Sequence, residues 1–156
     1  MIESVGLDTL RGALHVVELV GVAVFAGSGA LMAAEKRMDP FGFVVLGAAT
    51  AIGGGTVRDL VIGVRPVFWV EQPDFLVVSV LSALAMFWLA RLLAGSLERA
   101  LLWSDAVGMA LFTVTGTQKA LALGVPPVVA VAMGVITAAF GGILRDALCG
   151  EKPLLF

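Results

Sequence analysis

Gly53-Gly54-Gly55-Thr56-Val57-Arg58-Asp59 closes one long apolar run, and Phe140-Gly141-Gly142-Ile143-Leu144-Arg145-Asp146 closes another. The two are one element written twice. Gly54 and Gly141 lie 87 positions apart. The same offset, without a gap, pairs Gly21 with Gly108, Phe25 with Phe112, Gly29 with Gly116, Pro40 with Pro127, Gly47 with Gly134 and Thr50 with Thr137. Past the motif it pairs Gly63 with Gly150 and Pro66 with Pro153, and conservative pairs fill in between: Glu18 with Asp105, Ser28 with Thr115, Arg65 with Lys152. Repetition at a fixed period dictates architecture and is read before anything else.

Composition sets the solvent. Of 156 residues, 60% are hydrophobic and 14% charged, and the mean hydropathy is +1.04. Soluble domains average nearer half apolar and a quarter charged, and this chain has too little polar surface to cover its apolar side chains. The uncharged runs reach the length of membrane helices, so the expected class is an integral membrane protein. A net charge of −2, with no basic patch interleaved with aromatics, argues against a nucleic-acid partner. The single cysteine, Cys149, has no internal disulfide partner and no metal-ligand neighbours. Met1 to Leu10 carries Glu3 and Asp8 and lacks the basic start of a cleavable signal peptide.

Five spans are predicted. Residues 1–12, with Gly6 and Gly12, read as an interfacial turn. The first span runs from about Leu14 to Ala34, with His15 and Glu18 near its start. The charged loop Glu35 to Asp39 leads to Pro40, well suited to a first helical position. The second span runs from Pro40 to about Gly63. Its three glycines each cost a helix about 1 kcal/mol and predict a break or kink at membrane depth. Freed backbone groups there must face protein or a water-filled cavity. An interfacial loop, Val64 to Asp74, precedes the third span, Phe75 to about Ala94, and Gly95 to Arg99 is a linker. The fourth span, about Ala100 to Ala122, is the least hydrophobic. The fifth, Pro127 to Leu148, is expected to kink at Gly141-Gly142.

Three spans separate the starts of the two copies. An odd number sends the second copy into the bilayer from the opposite side, so the fold class is an all-α, polytopic helix bundle with inverted three-helix repeats. The first repeat covers residues 1–99 and the second 100–156. A counterpart of Phe75–Ala94 would begin near residue 162, past Phe156, so the second repeat is expected to be truncated in this chain. Inverted repeats place a site near the bilayer midplane, marked by broken helices. Lys36, Arg37, Arg91, Arg99, Arg145 and Lys152 gather on one side; Arg11, Arg58, Arg65 and Lys119 on the other. The first side is expected to be cytoplasmic, with the N-terminus outside and Phe156 inside the cell membrane.

Arg58-Asp59 and Arg145-Asp146 are the leading candidates for function. Ionisable groups at membrane depth are functional hypotheses by default; the alternative is that each pair caps a helix end among lipid headgroups. Lys119 is either a gating or pore-lining charge or a lysine snorkelling to the interface. Glu18 and Asp105 fall at expected helix starts, where they would favour the positive helix end. Thr50 and Thr137 lie one turn before Gly54 and Gly141. Their hydroxyls either face a permeating ion or bond back to a carbonyl, and Ser28, Thr115 and Thr117 invite the same two readings. His15 is incidental or a proton relay. No nucleophile–base pair, metal-ligand spacing or phosphate loop is present, and the glycine triplet lacks the Lys-Ser/Thr of a P-loop, so neither an enzyme nor a resident cofactor or metal is expected.

The doubled Gly-Gly-x-x-x-Arg-Asp motif resembles the prokaryotic branch of the trimeric intracellular cation (TRIC) channel family, and Gly116-Thr117-Gln118-Lys119-Ala120 is similar to that family's fourth helix. The resemblance covers essentially the whole chain. It implies a homotrimer of seven-helix subunits in contact with membrane lipids. Each subunit would have its own pore, bounded by the kinked second and fifth helices and conducting potassium and other monovalent cations such as sodium. The pore and gate candidates are then Ser28, Thr50, Gly53, Gly54, Gly55, Arg58, Asp59, Thr115, Lys119, Thr137, Gly141, Gly142, Arg145 and Asp146. The same module is also described as a glycine-transporter domain, which implies the alternative of a secondary transporter for glycine or another small zwitterion. This chain departs from the family pattern in lacking the sixth and seventh helices.

Overall fold

No proline interrupts the chain between its start and Glu35, and one 34-residue helix forms there, α1 (Ile2–Glu35). The computed structural model describes residues 2–92 and 96–153, with side chains described from residue 12 onward. The expected turn over residues 1–12 is therefore corrected: from Ile2 onward these residues belong to α1. The side chain of Arg11, residues Ala94 and Gly95, and Phe156 lie outside what is described.

The chain turns after Glu35, and the Asp39 carboxylate accepts a hydrogen bond from the Gly42 N–H at 2.8 Å. That N-cap and Pro40 in the first turn start α2 (Pro40–Ile62), which ends at Gly63 with φ of 84°, a left-handed conformation that glycine adopts without strain. A one-turn helix, α3 (Phe68–Glu71), sits in the following loop, and then come α4 (Asp74–Leu89), α5 (Leu97–Ala122) and α6 (Pro127–Leu148). Every regular element among the described residues is a helix.

The breaks expected at the glycines do not occur; α2 and α6 are continuous through them. The glycines serve close approach instead. A Cβ on Gly54 would lie 2.0 Å from the carbonyl oxygen of Thr137, and one on Gly141 would lie 2.3 Å from that of Thr50. Only glycine lets two helix backbones meet in this way.

These two contacts are images of one another under the 87-residue repeat, and the same reciprocity holds between α1 and α5. Gly21 faces the Phe112 ring, Gly108 faces the Phe25 ring, and the two rings touch at a centroid distance of 5.2 Å. Reciprocal contacts mean a two-fold axis. As α1 is followed through Gly21, Phe25 and Ser28, the α5 partners fall back through Phe112, Gly108 and Asp105. Thus α1 and α5 are antiparallel, and by the Gly54–Thr137 and Gly141–Thr50 contacts so are α2 and α6. A two-fold that reverses helix direction lies across the helices, in the membrane plane, so the repeat is inverted.

Four segments, Gly12–Glu35, Pro40–Ile62, Leu97–Ala122 and Pro127–Leu148, are long and apolar enough to cross a membrane. At 16 residues, α4 is about 24 Å long, shorter than the ~30 Å hydrocarbon core and shorter than the predicted third span. It nevertheless carries the chain across, because α2 ends on one side and α5 starts on the other. Small residues and phenylalanines fill the interior, among them Phe25, Ala26, Ala51, Phe75 and Phe112. Large apolar side chains such as Phe41, Leu81, Trp103 and Val128 are exposed, the outward apolar face expected of a lipid-embedded bundle.

Candidate functional site

The α2 and α6 backbones cross near Ile52 and Ala139, midway between their two glycine contacts. Arg58 and Arg145 each follow that crossing by six residues, or about 9 Å along a helix. The two-fold axis of an inverted repeat lies at the bilayer midplane, so both motifs sit within the ~15 Å half-thickness of the hydrocarbon core, on opposite sides of it. Arg58 is 3% exposed and Arg145 fully buried, with Asp59 and Asp146 at 0% and 1%. All four side chains are inside the protein.

Each arginine clasps the aspartate that follows it. Arg58 Nε donates to Asp59 Oδ1 at 2.9 Å, and Arg145 Nε donates to Asp146 Oδ1 at 2.8 Å. The surroundings then diverge. At the Arg145 end, Nη1 donates to Asp105 Oδ1 at 2.6 Å and to the hydroxyl of Ser28, which itself donates to the same carboxylate oxygen at 2.6 Å. Residues from α1, α5 and α6 are thereby tied together. Removing one partner of such a buried ion pair costs about 3–5 kcal/mol, and Arg145 Nη2 has no hydrogen-bond partner among the described residues.

At the Arg58 end, Asp59 Oδ2 accepts from the Phe68 N–H at 2.9 Å and lies 3.6 Å from Lys119 Nζ. The Phe68 ring has Arg58 5.7 Å and Lys119 5.2 Å from its centroid. A cavity of about 330 Å³ opens beside this cluster, lined by His15, Glu18, Gln72, Phe75, Thr115, Gln118 and Lys119, among others. Lys119 lines this cavity and points toward Asp59. His15 lies 2.7 Å from the Asp74 carboxylate and edge-on to Phe75, a partnered group at the cavity's rim.

The hydroxyls divide. Thr50 and Thr137 bond back to the carbonyls of Leu46 and Met133, each at 2.6 Å, and are packed against Gly29 and Gly116. Thr117 bonds back to Thr113 at 2.7 Å. Ser28 belongs to the Arg145 lock. The Thr115 hydroxyl is buried and has no hydrogen-bond partner among the described residues. Of the glycines, Gly54 and Gly141 hold the backbone crossing, and Gly53 and Gly55 face Leu144 and Phe68 side chains. Gly142 has ordinary clearance, its nearest neighbour being Arg145 Nη2 at 3.8 Å.

Two site features escaped the sequence reading. Phe68, in a loop read as merely interfacial, caps Asp59 with its N–H and slides its ring under two cations. Glu18 and Asp105 are not at helix starts; α1 begins at Ile2 and α5 at Leu97, so the helix-end explanation falls and both are interior charges. The signal was available, since the repeat pairs Glu18 with Asp105.

The chain matches the family model described as "Glycine transporter" over residues 15–91 and 102–156. It is 46% identical over 139 residues to the UPF0126 inner membrane protein YadS of Escherichia coli (strain K12), covering 89% of this chain and 67% of that one. It is 43% identical over 155 residues to a UPF0126 membrane protein of Vibrio cholerae, covering 96% and 62%. The chain thus spans about two thirds of the length of these relatives. Among solved structures it is similar to the TRIC trimeric intracellular cation channel orthologue from Rhodobacter sphaeroides, with a TM-score of 0.89 at 50% identity over 92% of this chain and 74% of that one. A prokaryotic TRIC channel in 0.5 M KCl gives a TM-score of 0.86 at 29% identity over 94% and 75%.

Proposed function

The chain belongs to the glycine-transporter family of two-repeat membrane proteins and shares the fold of prokaryotic TRIC channels, and from that premise we propose that it is a cation channel conducting potassium and other monovalent cations. The observation that carries this reading is the pair of buried Arg–Asp clusters at opposite ends of the α2–α6 crossing, one locked and one opening on a polar cavity. Charge held this deep in a membrane marks an ion path. Carboxylate and hydroxyl oxygens along it would replace part of an ion's hydration shell. At the Arg145 end, a cavity of about 20 Å³ beside Phe25, Asp105, Gly142, Asp146 and Pro153 has room for roughly one water.

The pore would run inside each subunit, and we extend to this chain the trimeric assembly named for its structural relative. The repeats are taken as residues 1–99 and 100–156, with the Lys36 and Arg145 end cytoplasmic. A second reading, a transporter of glycine or another small zwitterion, is favoured by one observation: the 330 Å³ cavity presents both a carboxylate, Glu18, and an ammonium, Lys119, and two such charges suit a zwitterion.

Single-channel recording of the purified protein in a planar bilayer, under a potassium gradient and without glycine, separates the two. Discrete openings reversing near the potassium potential are expected. A silent bilayer, with glycine uptake by liposomes from the same preparation, would replace the channel with the transporter.

A further inference from the structure

Four helix ends meet at the Arg145 end of the molecule: α1 and α4 finish there, and α2 and α5 begin. A cavity of about 350 Å³ lies among them, lined by Arg37, Met38, Phe43, Phe87, Arg91 and Leu97, among others. Phe43 and Phe87 lie within α2 and α4, toward the bilayer, and their rings meet edge to face at 5.0 Å. Arg37 and Arg91 lie past the ends of α1 and α4, on the headgroup side. Phe41 and Trp88, at the same helix ends, are 74% and 67% exposed, as aromatic side chains at a membrane interface are. Neither guanidinium has a hydrogen bond or ion pair to another side chain among the described residues. Arg91 lies 5.7 Å and 5.6 Å from the Phe87 and Trp88 ring centroids. Stacking engages the flat face of a guanidinium and leaves its N–H edge for oxygen acceptors. Arg37 has a φ of 54°, a left-handed conformation uncommon for residues with a side chain. Its counterpart under the 87-residue repeat is Gly124, with a φ of 79°. The chain therefore keeps an arginine where the backbone favours glycine.

We propose that this cavity binds an anionic phospholipid of the phosphatidylglycerol type, its headgroup phosphate held by Arg37 and Arg91 and the start of an acyl chain laid against Met38, Phe43, Phe87 and Leu97. Basic pockets between spanning helices at a membrane surface recognise anionic headgroups. A guanidinium meets phosphate oxygens with two parallel N–H bonds. Two unpaired cations favour a headgroup with no ammonium of its own, so a zwitterionic phospholipid fits less well. The apolar floor separates a lipid from free phosphate, which would leave it uncovered. The repeat also confines the site to one end. Met38 and Phe43 correspond to Val125 and Ala130; those two pack in and against the small cluster around Ala120 and Met133, and the Arg37 position there is Gly124.

Native mass spectrometry of the purified chain in detergent tests the site without requiring conduction. The protein is titrated with phosphatidylglycerol, and separately with phosphatidylcholine of the same acyl chains. A saturable phosphatidylglycerol adduct is expected, with a Kd about fivefold or more below that of phosphatidylcholine. Arg37→Gln and Arg91→Gln should each weaken it about fivefold, the scale of one basic residue at a membrane surface. Arg99→Gln should leave it unchanged, since Arg99 is exposed at the same end but does not line the cavity. Arg37→Lys and Arg91→Lys keep the charge and should retain most of the binding. Melting temperatures of the same samples separate a lost site from a lost fold; where a glutamine variant is unfolded, the lysine variant and the comparison of the two lipids decide. Equal affinity for the two lipids, or equal weakening by all three glutamine variants, overturns the site. Displacement of the lipid by an equal concentration of inorganic phosphate would overturn it too, by showing that the acyl chain contributes nothing.

Discussion

Gly141 and Gly142 are neighbours in one motif, yet an added Cβ meets different surroundings at each. At Gly141 it would lie 2.3 Å from a backbone oxygen of α2, and at Gly142 nothing approaches closer than 3.8 Å. Backbone cannot step aside as a side chain can, so Gly141→Ala must push α6 off α2. The expected result is a loss of about 1–3 kcal/mol, the usual cost of overpacking, read as a lower melting temperature in detergent. Gly142→Ala should melt at or above the wild type, because alanine in a helix interior gains up to about 1 kcal/mol over glycine. Equal destabilisation by both would revive the reading in which the doublet is a hinge rather than a contact. The aspartates invite a related lesson. Asp59 and Asp146 are each satisfied by the adjacent arginine, so their charge is largely spent inside the protein, and the carboxylate facing the cavity is Glu18.

At the scale of elements, the sequence reads well wherever one residue carries one meaning. Proline at positions 40 and 127 marks two helix starts, and the offset of 87 positions announces two copies of one hairpin. Glycine has two meanings, flexibility and smallness. Only the facing helix decides between them, so the predicted breaks became crossings. The same ambiguity hid Glu18 and Asp105. Without knowing that α1 begins at Ile2, a charge near the first apolar stretch resembles a helix-end residue. The lock at the Arg145 end draws on three helices distant in sequence, and no local pattern reveals such a meeting. The α1–α5 contact yields a prediction that the repeat alone would miss. Gly21 and Gly108 are counterparts, but a Cβ would lie 3.2 Å from the Phe112 ring at the first and 2.4 Å from the Phe25 ring at the second. Phe25 is also the more tightly buried ring. Gly108→Ala should therefore lower the melting temperature more than Gly21→Ala; equal losses would show that the two halves are interchangeable at this contact.

For the molecule as a whole, the inverted repeat sorts the charges by side before any membrane is added. Lys36 pairs with Glu151, and Arg37 and Arg91 line a common cavity, all at the Arg145 end. Lys119 and Arg58 meet at the other. Cys149 lies just past α6 at the Arg145 end, half-buried, and burial raises its thiol above the ordinary range. At neutral pH its thiolate fraction is below that of an exposed cysteine, and the thiolate is the nucleophile. Labelling by a membrane-impermeant maleimide should then be slow at neutral pH and accelerate as the pH is raised toward the shifted value. If the Arg145 end is cytoplasmic, as its excess of Lys and Arg argues, Cys149 should react in inverted vesicles and stay unlabelled in intact cells. Glu71 is exposed in the loop at the Arg58 end, so Glu71→Cys in a Cys149→Ser background should give the opposite pattern. Labelling of Cys149 from outside intact cells, with protection of the residue 71 cysteine, would invert the molecule in the membrane. The open cavity of Glu18 and Lys119 would then face the cytoplasm instead of the exterior.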